Sequence, residues 1–271
     1  MKRFISILAI SLILVSCKTT LYHYQVLETT SDNPKIKTEE KQTEYEDDNC
    51  RISYDMWENN GSAGFVFYNK TDLPITIDLA KSYFVKNGIA FDYYIDEIIS
   101  QSNSKTNTNS HSSNSSYYGS YWLYSIHGSS ESISSSYQST IKLPSTITIP
   151  PQCAKKILKF EISSNIFRSC DLTIDTQDKT EPIHFDKSNS PLKFANIITY
   201  QVENSTPITI RNDFYVNTIY NVISWKFYRY ESKKNCDFRG EPKISEKYFS
   251  VNPSNGFYIK YVASEYRDVT P

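Results

Sequence analysis

Two Asn-Gly pairs inside alternating apolar runs place the strongest constraint on the fold of this 271-residue chain. Asn60-Gly61 follows the run CRISYDMW and precedes AGFVFYN, and Asn87-Gly88 joins SYFVK to IAFDYYI. An Asn-Gly pair between two such runs is the strongest short-range signal for a β-hairpin, because both turn residues must adopt positive φ. Residues 50–96 are therefore predicted to form a meander of antiparallel strands.

Further short runs with strand character continue to the end of the chain. No amphipathic helix longer than two turns is predicted, and the 22 tyrosines and 14 phenylalanines against 7 glycines favour pleated surfaces over nucleotide-binding loops. These observations predict an all-β fold, an antiparallel β-sandwich of the immunoglobulin-like type. The chain contains either one elaborated sandwich or two in series, with a candidate boundary between residues 50–174 and residues 175–271.

A Ser/Asn-rich segment, residues 100–140, interrupts the first half. Its composition cannot bury enough apolar surface to offset the entropy of ordering, so a long loop is expected. Within it, aromatic rings set among Ser and Gly form a candidate binding loop for a protein or glycan, because such rings give contact area at low entropic cost. A hairpin or an edge strand that covers its own sheet is the alternative. The candidate residues are Tyr117, Tyr118, Tyr121, Trp122 and Tyr124.

The first residues have the pattern of an export signal. Lys2-Arg3 precedes an apolar run over 4–14, which is much shorter than the about 20 residues that a membrane-spanning helix needs. The sequence Leu-Val-Ser-Cys that ends at Cys17 resembles the lipobox of bacterial lipoproteins. The resemblance implies that residues 1–16 are removed and that Cys17 is acylated and anchors the protein in a membrane. A secretion signal with a chance cysteine is the alternative.

Residues 17–49 are mostly polar and become acidic toward their end. We expect the lipidated cysteine to be followed by a solvated tether, which at this length would reach about 30 Å from the membrane. Tyr22, Tyr24 and Val26 alternate with other residues, and this alternation favours a competing interpretation, a short strand that docks on the domain.

Charge and cysteine content limit the partners and cofactors. Removal of Lys2 and Arg3 with the signal changes the formal net charge from −1 to −3, and no clustered basic surface is visible, so nucleic acid is not an expected partner. No CxxC spacing is present and the four histidines lie far apart, so no metal or other cofactor is expected. An exported chain with four further cysteines can form two disulfides in three ways, or can keep buried free thiols. These cysteines are Cys50, Cys153, Cys170 and Cys236.

Signals for catalysis are weak. Asp92, Asp96 and Glu97 are close in sequence, and paired carboxylates can divide acid and base roles. Acidic residues at the end of a strand are more often solvated, and His184 in PIHFD is more often a strand residue than a general base. We therefore assign no catalytic residue from the sequence.

Four segments together resemble uncharacterised envelope lipoproteins of Bacteroidota-type bacteria: CKTT, YHYQV, GFVFYNKTD and YFVKNGIAFDYY. The resemblance implies an envelope location and a β-rich body, and it carries no catalytic motif. Surface-exported members often have acidic residues directly after the lipidated cysteine, whereas Lys18-Thr19-Thr20 stands here. This difference favours the periplasmic face of the outer membrane.

The expected function is that of a membrane-anchored, non-enzymatic binding or assembly module for a protein or glycan partner. β-Sandwiches with long loops commonly carry binding sites on those loops. A polymer-degrading hydrolase of the envelope and a pilus-type structural subunit are the alternatives.

Overall fold

A computed structural model describes residues 20–39, 42–94, 99–101, 139–141, 144–174, 177–234 and 243–263. Seventeen strands form within these ranges, together with a 3-10 helix at Cys170–Leu172 and a one-turn helix, α1, at Ser224–Phe227. The strands in chain order are β1 Tyr22–Thr30, β2 Ile36–Thr38, β3 Thr43–Glu46, β4 Cys50–Tyr54, β5 Phe65–Asn69, β6 Ile75–Lys86, β7 Ile89–Asp92, β8 Ile99–Gln101, β9 Ser139–Ile141, β10 Thr146–Ile149, β11 Ala154–Ile157, β12 Ile183–His184, β13 Lys193–Val202, β14 Ile208–Ile223, β15 Tyr228–Lys234, β16 Lys243–Phe249 and β17 Gly256–Val262.

Two antiparallel sheets form the body. The eight-stranded sheet has the order β10-β6-β13-β14-β1-β17, with β7 added to β6 and β12 added to β14, and the five-stranded sheet has the order β11-β5-β4-β3-β2. Two further pairs, β15-β16 and β8-β9, are separate two-stranded ribbons. The predicted all-β, antiparallel sandwich is confirmed.

The main core lies between the two sheets. Inward residues alternate with outward ones, as in β5, where Phe65, Phe67 and Asn69 are buried and the residues between them are half-buried. This period of two is the consequence of side chains pointing to opposite faces along a strand. The largest fully buried core side chains are Tyr54, Tyr93, Tyr200, Phe67, Phe84, Phe257, Ile52, Met56, Ile75, Ile77 and Leu79.

Both Asn-Gly pairs adopt the positive φ that their sequence predicts. Asn87 and Gly88 have φ values of 46° and 84° and form the two-residue turn between β6 and β7, where Lys86 pairs with Ile89. Asn60 and Gly61, with φ values of 68° and 70°, lie instead within the longer connection 55–64 between the paired strands β4 and β5. The first hairpin is thus present, but its turn is wider than two residues.

The prediction of a solvated tether over residues 17–49 is wrong for the residues from Tyr22 onward. β1 is an interior strand of the eight-stranded sheet, between β14 and β17, and β2 and β3 extend the five-stranded sheet. Leu27 packs into the core between the sheets, and Tyr24 and Val26 are buried on the opposite face. Long-range pairing on both edges and burial on both faces stabilise this segment, and neither is visible in its local polar composition.

The candidate boundary between residues 50–174 and 175–271 does not separate two sheets. β6 pairs along its length with β13, so strands from both sides of the boundary lie in one sheet, as in a single continued sandwich. Two short helices interrupt the strands: residues 170–172 form the 3-10 helix, and residues 224–227 form α1 between β14 and β15. The Ser/Asn-rich segment lies outside the described residues over 102–138, while the strands at its ends, β8 and β9, pair with each other.

A second buried cluster, the aromatic cluster, covers the outer face of β1, β14 and β17. Tyr24 and Phe227 stack with ring centroids 4.0 Å apart, and α1 and the β15-β16 ribbon close over them. Stacked and edge-to-face contacts of this kind stabilise beyond area burial alone. The further rings in contact are Trp57, Tyr228, Phe249 and Tyr258.

Candidate functional site

Several residues named from the sequence lie outside the described residues: the acylation candidate Cys17, the loop residues Tyr117, Tyr118, Tyr121, Trp122 and Tyr124, the acids Asp96 and Glu97, and Cys236. Asp92 ends β7 and is exposed, and its backbone carbonyl accepts a hydrogen bond of 2.6 Å from Lys159 Nζ. His184 is exposed on β12, with Nδ1 3.2 Å from the Thr218 hydroxyl oxygen. The structure therefore places Asp92 and His184 at solvated strand positions.

Cys50, Cys153 and Cys170 are free thiols. Cys50 pairs with Asn69 on β5, while the backbone N–H of Asn69 donates to the Cys153 carbonyl. Two strand spacings therefore separate Cys50 from Cys153, about 10 Å, which exceeds the roughly 7 Å limit for a disulfide. Burial raises the pKa of the Cys50 thiol.

Asp47 is the most densely hydrogen-bonded carboxylate in the described part of the chain. Its Oδ1 accepts from the backbone N–H groups of Asn49 and Cys50 at 2.9 and 2.8 Å, and its Oδ2 accepts from the hydroxyls of Tyr45 and Tyr200 at 3.1 and 3.3 Å. Partial burial disfavours the charge, but these donors outweigh it and hold the pKa of Asp47 below its usual value. Since all four donors fix the turn into β4, we assign the cluster a structural role.

A cleft of about 270 Å³, the charged cleft, opens on the outer face of the eight-stranded sheet. Ala195 pairs with Val85 on one side and Asp213 on the other, so the three side chains form a row across neighbouring strands. Because the alanine side chain is small and 1% exposed, it forms a depression between its larger neighbours. The next row along the sheet pairs Lys193 with Tyr215.

Charges of both signs surround this depression. Lys187 Nζ lies 3.0 Å from an Asp32 carboxylate oxygen, and Arg211 Nε donates to both Asp213 oxygens at 2.8 and 3.0 Å. The hydrogen bond with Asp32 raises the pKa of Lys187. Partial desolvation, and after it the charge of Asp32, raise the pKa of Tyr215, whose hydroxyl donates to Asp32 at 3.4 Å. The cleft therefore offers two carboxylates, each paired with a cation, and a tyrosine hydroxyl.

A second cleft of about 240 Å³ lies beside the first, where β1 ends near β2 and β3. Its lining is rich in hydroxyls, including Thr29, Ser31 and Thr38. Thr29 Oγ1 donates to the Asn255 carbonyl at 2.6 Å, and Ser31 Oγ donates to the Asp213 carbonyl at 2.6 Å. These hydroxyls are neutral and already have protein acceptors, whereas the ion pairs of the charged cleft carry both signs of charge and are about half exposed, so the charged cleft is the stronger candidate for ligand binding.

Sequence reasoning missed the charged cleft because its charged residues come from four segments: the loop after β1, the loop before β13, the start of β13, and β14. One local signal was present. Arg211, Asp213 and Tyr215 alternate in RNDFY, and a period of two places them on one face of a strand. Asp32 and Lys187 carry no comparable pattern.

Comparison with protein-family models, with curated proteins and with solved structures finds no match for this chain. The resemblance of the N-terminal residues to a lipoprotein signal stays a prediction. Within the described ranges, no group of three or more metal-ligating side chains comes together, and no helix has the length and apolar character needed to cross a bilayer.

Proposed function

We propose that this chain is an envelope lipoprotein, held by acyl chains on Cys17 and acting as a non-enzymatic binding module whose binding surface is the charged cleft. The observation that carries the binding role is the pairing of charges in the cleft. Each carboxylate there is engaged by its own cation, Asp32 by Lys187 and Asp213 by Arg211. Such pairs present both signs of charge to a polar partner. Binding a partner in this way requires no unpaired acid or base.

The size of the cleft limits what it can hold. A volume of about 270 Å³ lies just below the 300–1,000 Å³ typical of sites for drug-sized ligands. It is therefore suited to one or two side chains of a protein partner or to a sugar unit of a glycan. The Tyr215 ring, on the Lys193 row, adds an aromatic face suited to either partner.

The position of the cleft supports a role away from the membrane. β1 begins five residues after Cys17 and ends two residues before Asp32. Its nine residues rise about 27 Å from end to end. An anchor at Cys17 would therefore lie at one end of the strand and the charged cleft at the other, which fits a partner in the periplasm when the protein is on the periplasmic face of the outer membrane.

The geometry of one edge of each sheet disfavours a pilus-type subunit that accepts another chain's strand there. On the outer edge of β17, Tyr258 exchanges backbone hydrogen bonds with Glu58 and Asn60, and the Lys260 N–H donates to the Asn59 side chain at 2.9 Å. On the edge strand β11, Lys155 and Lys156 are exposed. Occupied backbone groups and edge lysines both oppose strand addition.

The anchor is tested by replacing Cys17 with Ala. We expect the wild-type protein to sediment with membranes and to carry the mass of acyl chains on its first residue, and we expect Cys17→Ala to leave the membrane fraction. Cys153→Ala serves as the control, since it removes an exposed cysteine elsewhere. Equal fractionation of all three proteins would contradict the anchor.

The binding role is tested with a photo-crosslinking amino acid in place of Tyr215, and in place of Tyr230 as an exposed control on β15. We expect adducts from cells at position 215 alone, and we expect them to be lost when Arg211→Ala is added. Digestion of the adduct by protease or by glycosidase identifies a protein or a glycan partner. Adducts of equal yield at both positions, or none at position 215, would contradict the role of the cleft.

A further inference from the structure

Three of the large exposed apolar side chains lie at one end of the eight-stranded sheet. Leu21, Tyr22 and Trp225 are 46%, 37% and 61% exposed. The Leu21 carbonyl accepts a hydrogen bond from the Ala263 N–H at 2.9 Å, and Tyr22 pairs with Val262. α1, which carries Trp225, begins directly after Ile223, the partner of His23. We call the surface formed by Leu21, Tyr22 and Trp225 the N-terminal end of the sheet, because β1 begins there.

Exposed lysines lie near this end of the sheet. Lys260 Nζ lies 3.9 Å from the centroid of the Tyr22 ring, and Lys179 Nζ lies 3.9 Å from the centroid of the Tyr220 ring. Lys226, beside Trp225, is 58% exposed and 3.3 Å from an Asp178 carboxylate oxygen. Aromatic and aliphatic side chains bordered by lysine are typical of surfaces that lie in the headgroup region of a bilayer.

We propose that the N-terminal end of the sheet is a membrane-contact surface, which lies in the phospholipid headgroups of the bilayer that holds Cys17. The inference rests on the proposed acylation. Three peptide units separate Cys17 from Thr20, and they can span at most about 11 Å. Because β1 begins at Tyr22, no long tether is available to lift this end away from the membrane.

The depth of the headgroup region makes the contact geometrically consistent. Each polar layer of a bilayer is about 5–7 Å thick. With the first residue of the mature chain held at the edge of this layer by its acyl chains, Leu21 and Tyr22 lie within reach of it. The lysines then face lipid phosphates, which attract them.

Rigid packing fixes the direction of Trp225. Phe227, two residues later on the same helical turn, is fully buried and stacks on Tyr24 of β1. With one side of α1 held in the aromatic cluster, Trp225 points away from it into solvent. Membrane contact at Trp225 would direct the other end of β1, and the charged cleft with it, away from the bilayer.

The test uses the full-length acylated protein in vesicles of phosphatidylethanolamine and phosphatidylglycerol at a ratio of three to one, with or without bromine atoms on the acyl chains. Bromine quenches tryptophan emission only at short range. We expect bromolipid to quench part of the emission of the wild type, and we expect this part to be absent from Trp225→Phe. Leu21→Ser should reduce it about twofold or more, because loss of buried apolar area weakens the contact.

A reporter at the opposite end of the sheet is the matched control. Ile89 is 63% exposed, close to the value for Trp225, and is the first residue of β7, near the Lys193 end of β13. When Ile89→Trp is added to the Trp225→Phe variant, bromolipid should quench no more of the tryptophan emission than it does in Trp225→Phe alone. Circular dichroism of both variants verifies that they are folded.

The outcomes separate this inference from the proposed anchor. Acylated protein that stays on the vesicles without quenching at Trp225 would overturn the membrane-contact surface and leave the anchor in place. Equal quenching at positions 225 and 89 would also overturn it. A mature protein that carries no acyl chains by mass spectrometry would overturn the proposed anchor, and this inference with it.

Discussion

The side-chain amide of Asn212 donates a hydrogen bond of 2.6 Å to the hydroxyl of Tyr54, and neither side chain has any exposed surface. Asn212 belongs to β14 and Tyr54 to β4, so this hydrogen bond joins the two sheets through the core. Asn196 of β13 makes a second such link, since its buried side-chain amide donates at 3.0 Å to the backbone carbonyl of Ala63, two residues before β5. Polar pairs inside an apolar core restrict how the sheets can slide, because any other alignment leaves a buried donor without an acceptor.

Tyr54→Phe should therefore destabilise the fold without changing its shape. The substitution leaves a buried amide donor of Asn212 without this acceptor, and we expect the free energy of unfolding to fall by about 1–3 kcal/mol. Urea denaturation followed by circular dichroism measures the change. The control is Tyr68→Phe, which removes a hydroxyl that donates to Gln152 at the surface, with an expected effect below about 0.5 kcal/mol.

Asp47→Asn should make stability less dependent on pH. Because the pKa of Asp47 is lower in the folded protein than in the unfolded chain, its contribution is present above the unfolded pKa and is lost as pH falls through the folded pKa. We expect Asp47→Asn to cost about 1–2 kcal/mol at pH 7, because its hydrogen bonds become neutral, and progressively less below about pH 4.

The experiment compares urea denaturation at pH 7 and pH 3. Asp48→Asn, at the exposed neighbouring acid, is the control and should leave the difference between the two pH values close to that of the wild type. A constant destabilisation by Asp47→Asn at both pH values would contradict the prediction.

The two Asn-Gly glycines should respond differently to Ala. Both have positive φ, so backbone strain is common to both substitutions. A Cβ on Gly61 would lie 2.7 Å from Phe257 Cγ, whereas a Cβ on Gly88 would meet no atom within 4 Å. We expect Gly61→Ala to lower the free energy of unfolding by about 1–3 kcal/mol more than Gly88→Ala, because overpacking adds to the strain. Thermal unfolding of the two variants measures this difference, and equal losses would contradict it.

The same two pairs show how far the sequence predicts this fold. The positive φ at Asn60 and Asn87 follows from local chemistry, so the strands on either side were predicted correctly. The contact of Gly61 with Phe257 depends on β17, almost 200 residues away, and no local pattern indicates it. Long-range packing therefore decides that Asn87-Gly88 forms a two-residue turn, whereas Asn60-Gly61 lies in a wider connection.

The first strand was only the competing interpretation of its segment, for a related reason. Its alternation was visible, but a run of polar and acidic residues follows it, and composition alone favoured a tether. β1 is stabilised by β14 and β17, whose paired residues Val222 and Lys260 face Tyr24 from opposite sides. The charged cleft was unpredictable in the same way, since Asp32 and Lys187 meet only after β1, β13 and β14 have paired.

Two aromatic side chains of α1 provide the final prediction. Phe227 is fully buried in the aromatic cluster, so Phe227→Ala should lower the free energy of unfolding by about 3–5 kcal/mol through lost burial and the cavity that remains. Trp225 is 61% exposed on the same turn, so Trp225→Ala should change it by less than about 0.5 kcal/mol in solution. Urea denaturation of unacylated Cys17→Ala protein measures both. A large loss of stability for Trp225→Ala would mean that Trp225 is needed for folding. A small effect in solution is the result expected of a side chain that contacts only lipid.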